Sequence, residues 1–264
     1  MIRRNPSAGR SALGLCSLAV LAIALSGCAN PLSQSAKSDS VSAQPDETGS
    51  ALRLARASRD AGDFASAINL YRSVIAAKPD DGVTIELGDT LIQAGLYDDA
   101  IDVYGRIETK SPAHLAALLG LARANLALSA PSDALRFTEQ ALAAAPQDPR
   151  AIIDHAVALD MLGRHAEAQD GYRGLLKTMP RNEAAQNDLA LSLIMTRQLS
   201  EATAILEPMA RSPEAKPEVR QNLALVYGLM GDDQRAAELS RADLDDAATA
   251  NNLRFFDYLR GATN

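Results

Sequence analysis

The chain has 264 residues, of which 47% are hydrophobic and only 4% aromatic, with no tryptophan. The length is sufficient for one large domain or two ordinary ones. The shortage of aromatic residues favours helices packed through small side chains over a β-sandwich. A formal charge of −7 argues against a surface that binds nucleic-acid phosphates, and two cysteines are too few for a disulfide framework.

The first 27 residues have the organisation of an export signal. Three arginines within the first ten residues precede an apolar stretch, Leu13–Leu25, that is shorter than the roughly 20 residues of a spanning helix. The stretch ends in Leu25-Ser26-Gly27-Cys28, which resembles the lipobox of bacterial lipoproteins. The resemblance implies cleavage before Cys28 and acyl chains on this cysteine as a membrane anchor. The alternative is an ordinary secretory signal followed by a chance cysteine.

Residues 28–47 are predicted to form the lipidated cysteine and a flexible tether. The segment is rich in serine, contains Pro31 and Pro45, and has almost no side chain that a core would bury. A random coil of this length spans roughly 25 Å. In enteric bacteria, the residue directly after the lipidated cysteine determines the membrane to which a lipoprotein is sorted. This residue is Ala29 and not aspartate, and by that resemblance the protein is expected at the outer membrane, facing the periplasm.

Residues 48–248 contain a repeat with a period of 33 or 34 residues. An alanine begins the second half of each unit, at Ala67, Ala100, Ala134, Ala168, Ala202 and Ala236. Five residues earlier stand Gly62, Gly95, Ser129, Gly163, Arg197 and Gly231. Twelve residues after the first four alanines stand Pro79, Pro112, Pro146 and Pro180. Six recurrences in phase indicate a repeat architecture.

Each recurring position has a physical role in a helix pair. The glycine permits the left-handed backbone that ends a first helix, the alanine lets two antiparallel helices approach, and the proline stops the second helix. This pattern resembles the tetratricopeptide repeat, which implies an all-α solenoid of about six helix-turn-helix units. Three positions depart from the family pattern: Ser129 and Arg197 replace the turn glycine, and His155 replaces a first-helix leucine.

Residues 246–264 are predicted to form a capping helix and a short tail. Leu253, Phe256 and Leu259 recur at helical spacing, with Phe255 and Tyr258 on an adjoining face. A solenoid exposes an apolar face at each end, and a capping element keeps it soluble. The alternative is a partner-binding peptide.

The sequence carries no motif for catalysis, a metal or a nucleotide. It has no phosphate-binding glycine loop, no paired-cysteine spacing and no Gly-x-Ser-x-Gly elbow. We expect His155 to be a packed, hydrogen-bonded core residue, His165 to pack in the turn between helices, and His114 to be solvated. We therefore predict a protein that is not an enzyme and has no cofactor apart from the lipid on Cys28.

The candidate functional surface is the concave face, which first helices line in solenoids of this kind. The repeat phase places the following aliphatic residues on this face in the last three units: Ile153, Val157, Met161, Leu191, Ile194, Met195, Leu225 and Leu229. Earlier units contribute a more polar set, Arg56, Asp89, Ile92 and Arg123. An apolar groove with flexible methionines suits an amphipathic or extended segment of another protein. Alternatively, some of these residues touch a neighbouring repeat or the cap.

The C-terminal 40 residues resemble the TadD family, the repeat lipoproteins of the tight-adherence (Flp) pilus machinery. The resemblance rests on residues 221–226 (QNLALV), 236–238 (AAE), 243–244 (DL) and 251–253 (NNL). It implies a pilotin-like lipoprotein that places or assembles the pilus secretin, with the secretin or other pilus components as partners and with no nucleic acid. The alternative is a generic envelope scaffold for another pilus or secretion system, or for peptidoglycan enzymes.

Overall fold

The computed structural model describes residues 47–261. The predicted signal, Cys28 and the tether up to residue 46 lie outside the described residues. The described part of the chain consists of helices without any strand. The helices are α1 (Glu47–Asp60), α2 (Phe64–Ala77), α3 (Asp81–Gln93), α4 (Tyr97–Tyr104), α5 (His114–Ala127), α6 (Pro131–Ala144), α7 (Pro149–Met161), α8 (His165–Thr178), α9 (Glu183–Met195), α10 (Leu199–Ala210), α11 (Pro217–Met230), α12 (Asp233–Arg241) and α13 (Asp246–Gly261).

The first twelve helices form six antiparallel pairs, and α13 follows as a single helix. Each helix packs against its neighbours in the chain, from α1 against α2 to α12 against α13. This order of contacts is that of a solenoid, in which each repeat touches the adjacent repeats. The all-α prediction with about six repeats and a terminal capping helix is confirmed.

The turn inside each repeat has the left-handed conformation that the spacing predicts. All six turn residues have positive φ, including Ser129 at 57° and Arg197 at 61°. In every repeat the N–H of the residue after the turn residue donates to the carbonyl five positions earlier, as Ala130 does to Asn125 at 2.8 Å and Gln198 to Leu193 at 2.8 Å. These hydrogen bonds satisfy carbonyls at the end of the first helix. The register of the repeat therefore imposes the turn even where glycine is absent.

The recurring alanines lie where the two helices of a pair approach each other. All six, from Ala67 to Ala236, have no measurable solvent exposure. A larger side chain at this site would have to push the helices apart or displace the packed side chains around it. The period read from the sequence therefore marks buried contacts.

The prediction that the recurring proline stops the second helix holds in three units and is wrong in the second. Helices α2, α6 and α8 each end two residues before their proline, whereas α4 ends at Tyr104, well before Pro112. Gly105 follows Tyr104 and is a weak helix former. The chain then turns through a hydrogen bond from the Ile107 N–H to the Tyr104 carbonyl at 3.1 Å, and the Ile107 side chain is buried in the core.

The hydrophobic core continues through the stack and ends under α13. Phe256 is buried against α11, with Leu253 and Leu259 partly buried beside the same core. Its ring lies over Gly228, where an added Cβ would stand only 2.4 Å from the nearest ring carbon. The packing of the capping helix thus requires the large side chain of Phe256 on α13 and the lack of a side chain at Gly228 on α11.

Candidate protein-binding site

The first helices of the repeats line one face of the stack. Among the described helices, the first helices α3, α5, α7, α9 and α11 contact one another in sequence, whereas neighbouring second helices make almost no contact with one another. A stack whose first helices lie closer together than its second helices curves towards the first helices. The concave surface of this solenoid is therefore formed by first helices.

Six of the eight aliphatic residues predicted for the concave surface reach it. Met161 and Met195 are 42% and 59% exposed, and four others are partly buried between the core and the surface. We refer to this set as the apolar groove: Ile153, Val157, Met161, Leu191, Met195 and Leu225.

The prediction that Ile194 and Leu229 line the concave surface is wrong, because both are buried, at 6% and 8% exposure. Ile194 packs into the core cluster of the later repeats. Leu229 has the same repeat position as the two exposed methionines, but α13 packs against α11 in the last repeat. Both side chains belong to the core beneath the groove.

The concave surface of the first repeats carries charged residues that pair with one another. Two nitrogens of the Arg56 guanidinium donate to the Glu86 carboxylate, at 2.8 and 2.5 Å, and the Tyr71 hydroxyl donates to Glu86 at 3.0 Å. The hydrogen bonds from Arg56 lower the pKa of Glu86. Burial, together with the hydrogen bond to Glu86, raises the pKa of Tyr71 to about 12.

Tyr104 reaches the concave surface from the second helix of its repeat. Its ring lies against both Gly88 on α3 and Gly120 on α5, where an added Cβ would stand 2.4 and 2.3 Å from ring carbons. The hydroxyl donates to Asp89 at 2.7 Å, and Arg123 donates to the same oxygen at 3.1 Å. The two glycines are therefore needed for the close approach of the Tyr104 ring, and one oxygen of the Asp89 carboxylate accepts both hydrogen bonds.

Two carboxylates on the later repeats, Asp154 on α7 and Asp188 on α9, have no such pairing. They occupy the same repeat position as Glu86, at multiples of 34 residues. The Oδ2 atom of Asp154 is buried without a hydrogen-bond partner, and burial raises the pKa of Asp154 to about 6. Burial also raises the pKa of Asp188, which accepts one hydrogen bond at 3.3 Å, from the amide of Asn187.

The arginines nearest to Asp154 are engaged elsewhere. Arg123 pairs with Asp89 at 3.1 Å, and Arg150 pairs with Asp148 at 2.7 Å. Both arginines lower the pKa of Asp154 through their charge, but the effect of burial is larger. Asp154 and the two arginines line a cavity of about 240 Å³ between α3, α5 and α7, which Ile85, Leu119 and Ile153 also line.

Sequence reasoning missed Asp154 and Asp188 as groove residues. The signal was available in the repeat phase, since Glu86, Asp154 and Asp188 recur at one position of the unit. The repeat phase does not show which of these acids forms an ion pair. Glu86 meets Arg56 from the preceding repeat, whereas Arg123, at the same repeat position as Arg56, pairs with Asp89, and no residue of the described chain forms an ion pair with Asp154 or Asp188.

The histidines take part in packing, as predicted for two of the three. His155 is partly buried, with Nδ1 at 3.1 Å from the Thr138 hydroxyl, and burial lowers its pKa. His165 contacts Asp160 at 2.8 Å, within a polar cluster that the Ser192 hydroxyl joins. His114, predicted to be solvated, is only partly exposed, and its Nδ1 atom is buried without a hydrogen-bond partner.

Another cavity, of about 510 Å³, lies away from the concave surface, between α2 and α4, where α4 ends early. Three of its four acidic side chains have partners: Asp80 caps α3 by accepting from the Val83 N–H, Asp81 accepts from Ser111, and Asp99 pairs with Arg72. The fourth, Asp102, is exposed to solvent, so this cavity lacks the buried, unpaired carboxylate that distinguishes Asp154.

Neither a metal site nor a membrane-spanning helix is found among residues 47–261. No group of three or more histidine, cysteine or acidic side chains in this part of the chain is arranged to hold a metal ion. No helix in the same range is long and apolar enough to cross a bilayer.

A tetratricopeptide-repeat family model matches residues 58–108 and 91–153. Cellulose synthase 2 operon protein C of Komagataeibacter xylinus is 34% identical over 190 residues, which is 70% of this chain and 14% of that protein. An uncharacterized protein of Sinorhizobium fredii is 38% identical over 82 residues, which is 31% of this chain and 45% of that protein. The chain thus spans less than half the length of each of these relatives.

Solved structures share the fold at low sequence identity. A tetratricopeptide repeat protein from Parabacteroides merdae superposes with a TM-score of 0.68 at 18% identity, over 82% of this chain and 86% of that one. PilW, described as a widely conserved type IV pilus biogenesis factor, superposes with a TM-score of 0.66 at 15% identity, over 80% and 98%. The helix pairs, the left-handed turn in each unit and the family match lead to one conclusion, that the described chain has the fold of a tetratricopeptide-repeat solenoid and that residues 58–153 match the repeat family itself.

Proposed function

We propose that this chain is a non-catalytic protein scaffold that holds a segment of a partner protein in its apolar groove. One observation carries the proposal: side chains from three consecutive first helices leave apolar surface on the concave face, with Met195 59% exposed. Methionine side chains are flexible and adapt to different partner shapes. A groove on stacked helices suits an amphipathic helix or an extended segment.

We further propose that the scaffold is an outer-membrane lipoprotein, anchored through Cys28 and facing the periplasm, that assists assembly of a tight-adherence (Flp) pilus secretin. The lipobox-like residues and the TadD-like stretch at residues 221–226 support this proposal. The shared fold with PilW, a type IV pilus biogenesis factor, is consistent with it. An anchor would confine the groove to the membrane surface and so raise its effective concentration for a partner there.

A second candidate is a scaffold that serves other machinery than a pilus. The 34% identity with Cellulose synthase 2 operon protein C over 190 residues favours it, because that relative resembles 70% of this chain. Both candidates require the same groove, so they differ in the partner and not in the binding surface.

The test is gene deletion followed by complementation with groove variants in the source organism. Met161→Asp combined with Met195→Asp places two charges in the groove at residues that are 42% and 59% exposed, so the fold is retained. Leu54→Asp combined with Met179→Asp is the matched control, at 56% and 44% exposure outside the groove. We expect the deletion to abolish secretin multimers in outer-membrane fractions, the control to restore them, and the groove variant and Cys28→Ala to fail.

Two results would contradict the proposal at different levels. A secretin that stays multimeric and correctly placed in the deletion strain would remove the pilus role. Full complementation by the groove variant would show that the partner binds elsewhere on the protein.

A further inference from the structure

We propose that the groove selects a partner segment carrying a lysine or arginine beside apolar residues, with the cation seated against Asp154 and Asp188. This inference rests on the proposed function and specifies the chemistry of the partner. Its basis is a difference in charge pairing between the two halves of the concave surface.

In the first three repeats, the concave carboxylates have their cations within the chain. Glu86 has Arg56, and Asp89 has Arg123. In the fourth and fifth repeats, Asp154 and Asp188 form no ion pair with any residue of the described chain, and the Asp154 Oδ2 atom is buried without a hydrogen bond. The second half of the groove therefore presents negative charge that the folded chain does not neutralise.

A buried carboxylate without a partner is unfavourable, and a cation from outside would remove the penalty. Hydrogen bonds to a charged group are stronger than those between neutral groups. The arginines near Asp154 do not supply this contact, since each is hydrogen-bonded to another acid, Asp89 or Asp148. The cavity beside Asp154, which Arg123 and Arg150 also line, leaves room for an incoming group on the α3 and α5 side of this carboxylate.

The apolar surroundings specify what must accompany the cation. Ile153, Val157 and Leu191 lie within one helical turn of Asp154 or Asp188 on α7 and α9, and all three are partly buried. Long basic side chains lay their aliphatic stems along such surface while the charged head meets an acid. A basic residue flanked by apolar residues therefore fits the groove, whereas an acidic segment would meet repulsion. The formal charge of −7 on the chain favours the approach of such a segment.

The experiment is a selection from a phage-displayed library of short random linear peptides on the full chain. The wild type is compared with Asp154→Asn combined with Asp188→Asn, which keeps the side-chain shape and removes both charges. The matched control is Asp102→Asn combined with Asp170→Asn, at exposed acids on second helices. We expect peptides with lysine or arginine beside apolar residues to be enriched on the wild type and on the control. The enrichment of basic residues should disappear on the protein with Asp154→Asn and Asp188→Asn.

Fluorescence anisotropy with a synthetic peptide from the selection then measures the coupling between the basic residue of the peptide and the two aspartates of the groove. Exchange of its basic residue for glutamine, or the paired Asp→Asn exchange in the protein, should each weaken binding about tenfold or more. The two changes together should weaken it no further than either alone, because they remove the same contact.

The outcomes separate this inference from the proposed function. The cation site would be overturned if the selected peptides were apolar without enriched basic residues, or if basic residues stayed enriched on the Asp154→Asn and Asp188→Asn protein. Either result would leave the groove as a binding surface. If Met161→Lys combined with Met195→Lys, which places cations in the groove, leaves all selected peptides bound, the groove itself is not the binding surface and both proposals fail.

Discussion

Asp154 and Glu86 occupy the same position of the repeat, yet their carboxyl groups behave in opposite ways. Hydrogen bonds from Arg56 lower the pKa of Glu86, whereas burial raises the pKa of Asp154 to about 6. The difference is the cation from a neighbouring repeat, which Glu86 has and Asp154 lacks. A binding residue that is held unpaired in this way reduces the stability of the free protein.

We expect Asp154→Asn to stabilise the protein at neutral pH. The pKa of Asp154 rises from 3.8 to about 6 on folding, so the folded state retains its proton to a higher pH than the unfolded state. Stability contributed by the protonated group is therefore present below about pH 4, falls as pH rises towards 6, and is lost above it. At 1.36 kcal/mol per pKa unit, the gain in the free energy of unfolding at pH 7 is about 2–3 kcal/mol.

Urea denaturation of the wild type and Asp154→Asn at pH 4 and pH 7 measures this gain. The difference between the two proteins should be small at pH 4 and large at pH 7. Asp170→Asn, at an exposed acid, is the control and should show no such dependence. Equal differences at both pH values would mean that Asp154 is not charged at a cost in the folded protein.

At the scale of the element, the turn between paired helices is set by backbone geometry. Ser129 and Arg197 adopt left-handed φ values of 57° and 61° and close the same hydrogen bond as the glycine turns. A residue with a Cβ in this region is strained by about 1–2 kcal/mol relative to glycine. The solenoid tolerates this strain because the packed helices on both sides determine the turn.

Ser129→Gly should raise the free energy of unfolding by about 0.5–1 kcal/mol. The relief of strain exceeds the extra freedom that glycine gives the unfolded chain. Ser129 is exposed, so its hydroxyl contributes little, and Ser129→Ala is the matched control without conformational relief. Thermal unfolding followed by circular dichroism distinguishes the two, and an equal gain in Ser129→Ala would attribute the effect to the hydroxyl.

The capping helix gives a second expectation at this scale. Phe256 is 5% exposed over Gly228, whereas Tyr258 on the same helix is 69% exposed. Phe256→Ala should lower the free energy of unfolding by about 3 kcal/mol or more, because it empties the contact that seals the last repeat. Tyr258→Ala should change it by less than about 0.5 kcal/mol in the same urea titration. Equal effects would show that α13 is not held by its buried face.

At the scale of the whole molecule, the concave surface consists of two halves with different chemistry. The first half, from Arg56 to Arg123, pairs its acidic side chains with arginines from adjacent repeats and with tyrosine hydroxyls. The second half joins apolar side chains to the unpaired Asp154 and Asp188. A surface whose charged groups are already paired within the chain gains little from binding a partner. We therefore expect the partner to bind the second half.

The local order of the chain could be predicted from its sequence. The period located all six left-handed turns and all six buried alanines, because these depend on backbone geometry and on contacts inside one repeat. Six of the eight aliphatic residues predicted for the concave surface keep solvent exposure, and their role in partner binding stays a prediction. The stop of α4 at Tyr104 was missed, because Gly105 and the burial of Ile107 outweigh the position of Pro112.

Only the tertiary structure decided which first-helix residues remain available to a partner. Ile194 lies in the core, and Leu229 is buried where α13 packs on α11, although its repeat position matches that of the exposed Met195. Glu86 is paired and Asp154 is not, although both stand at one position of the unit. Burial and charge pairing depend on side chains from the adjacent repeat or the cap, and a period along one chain does not contain those neighbours.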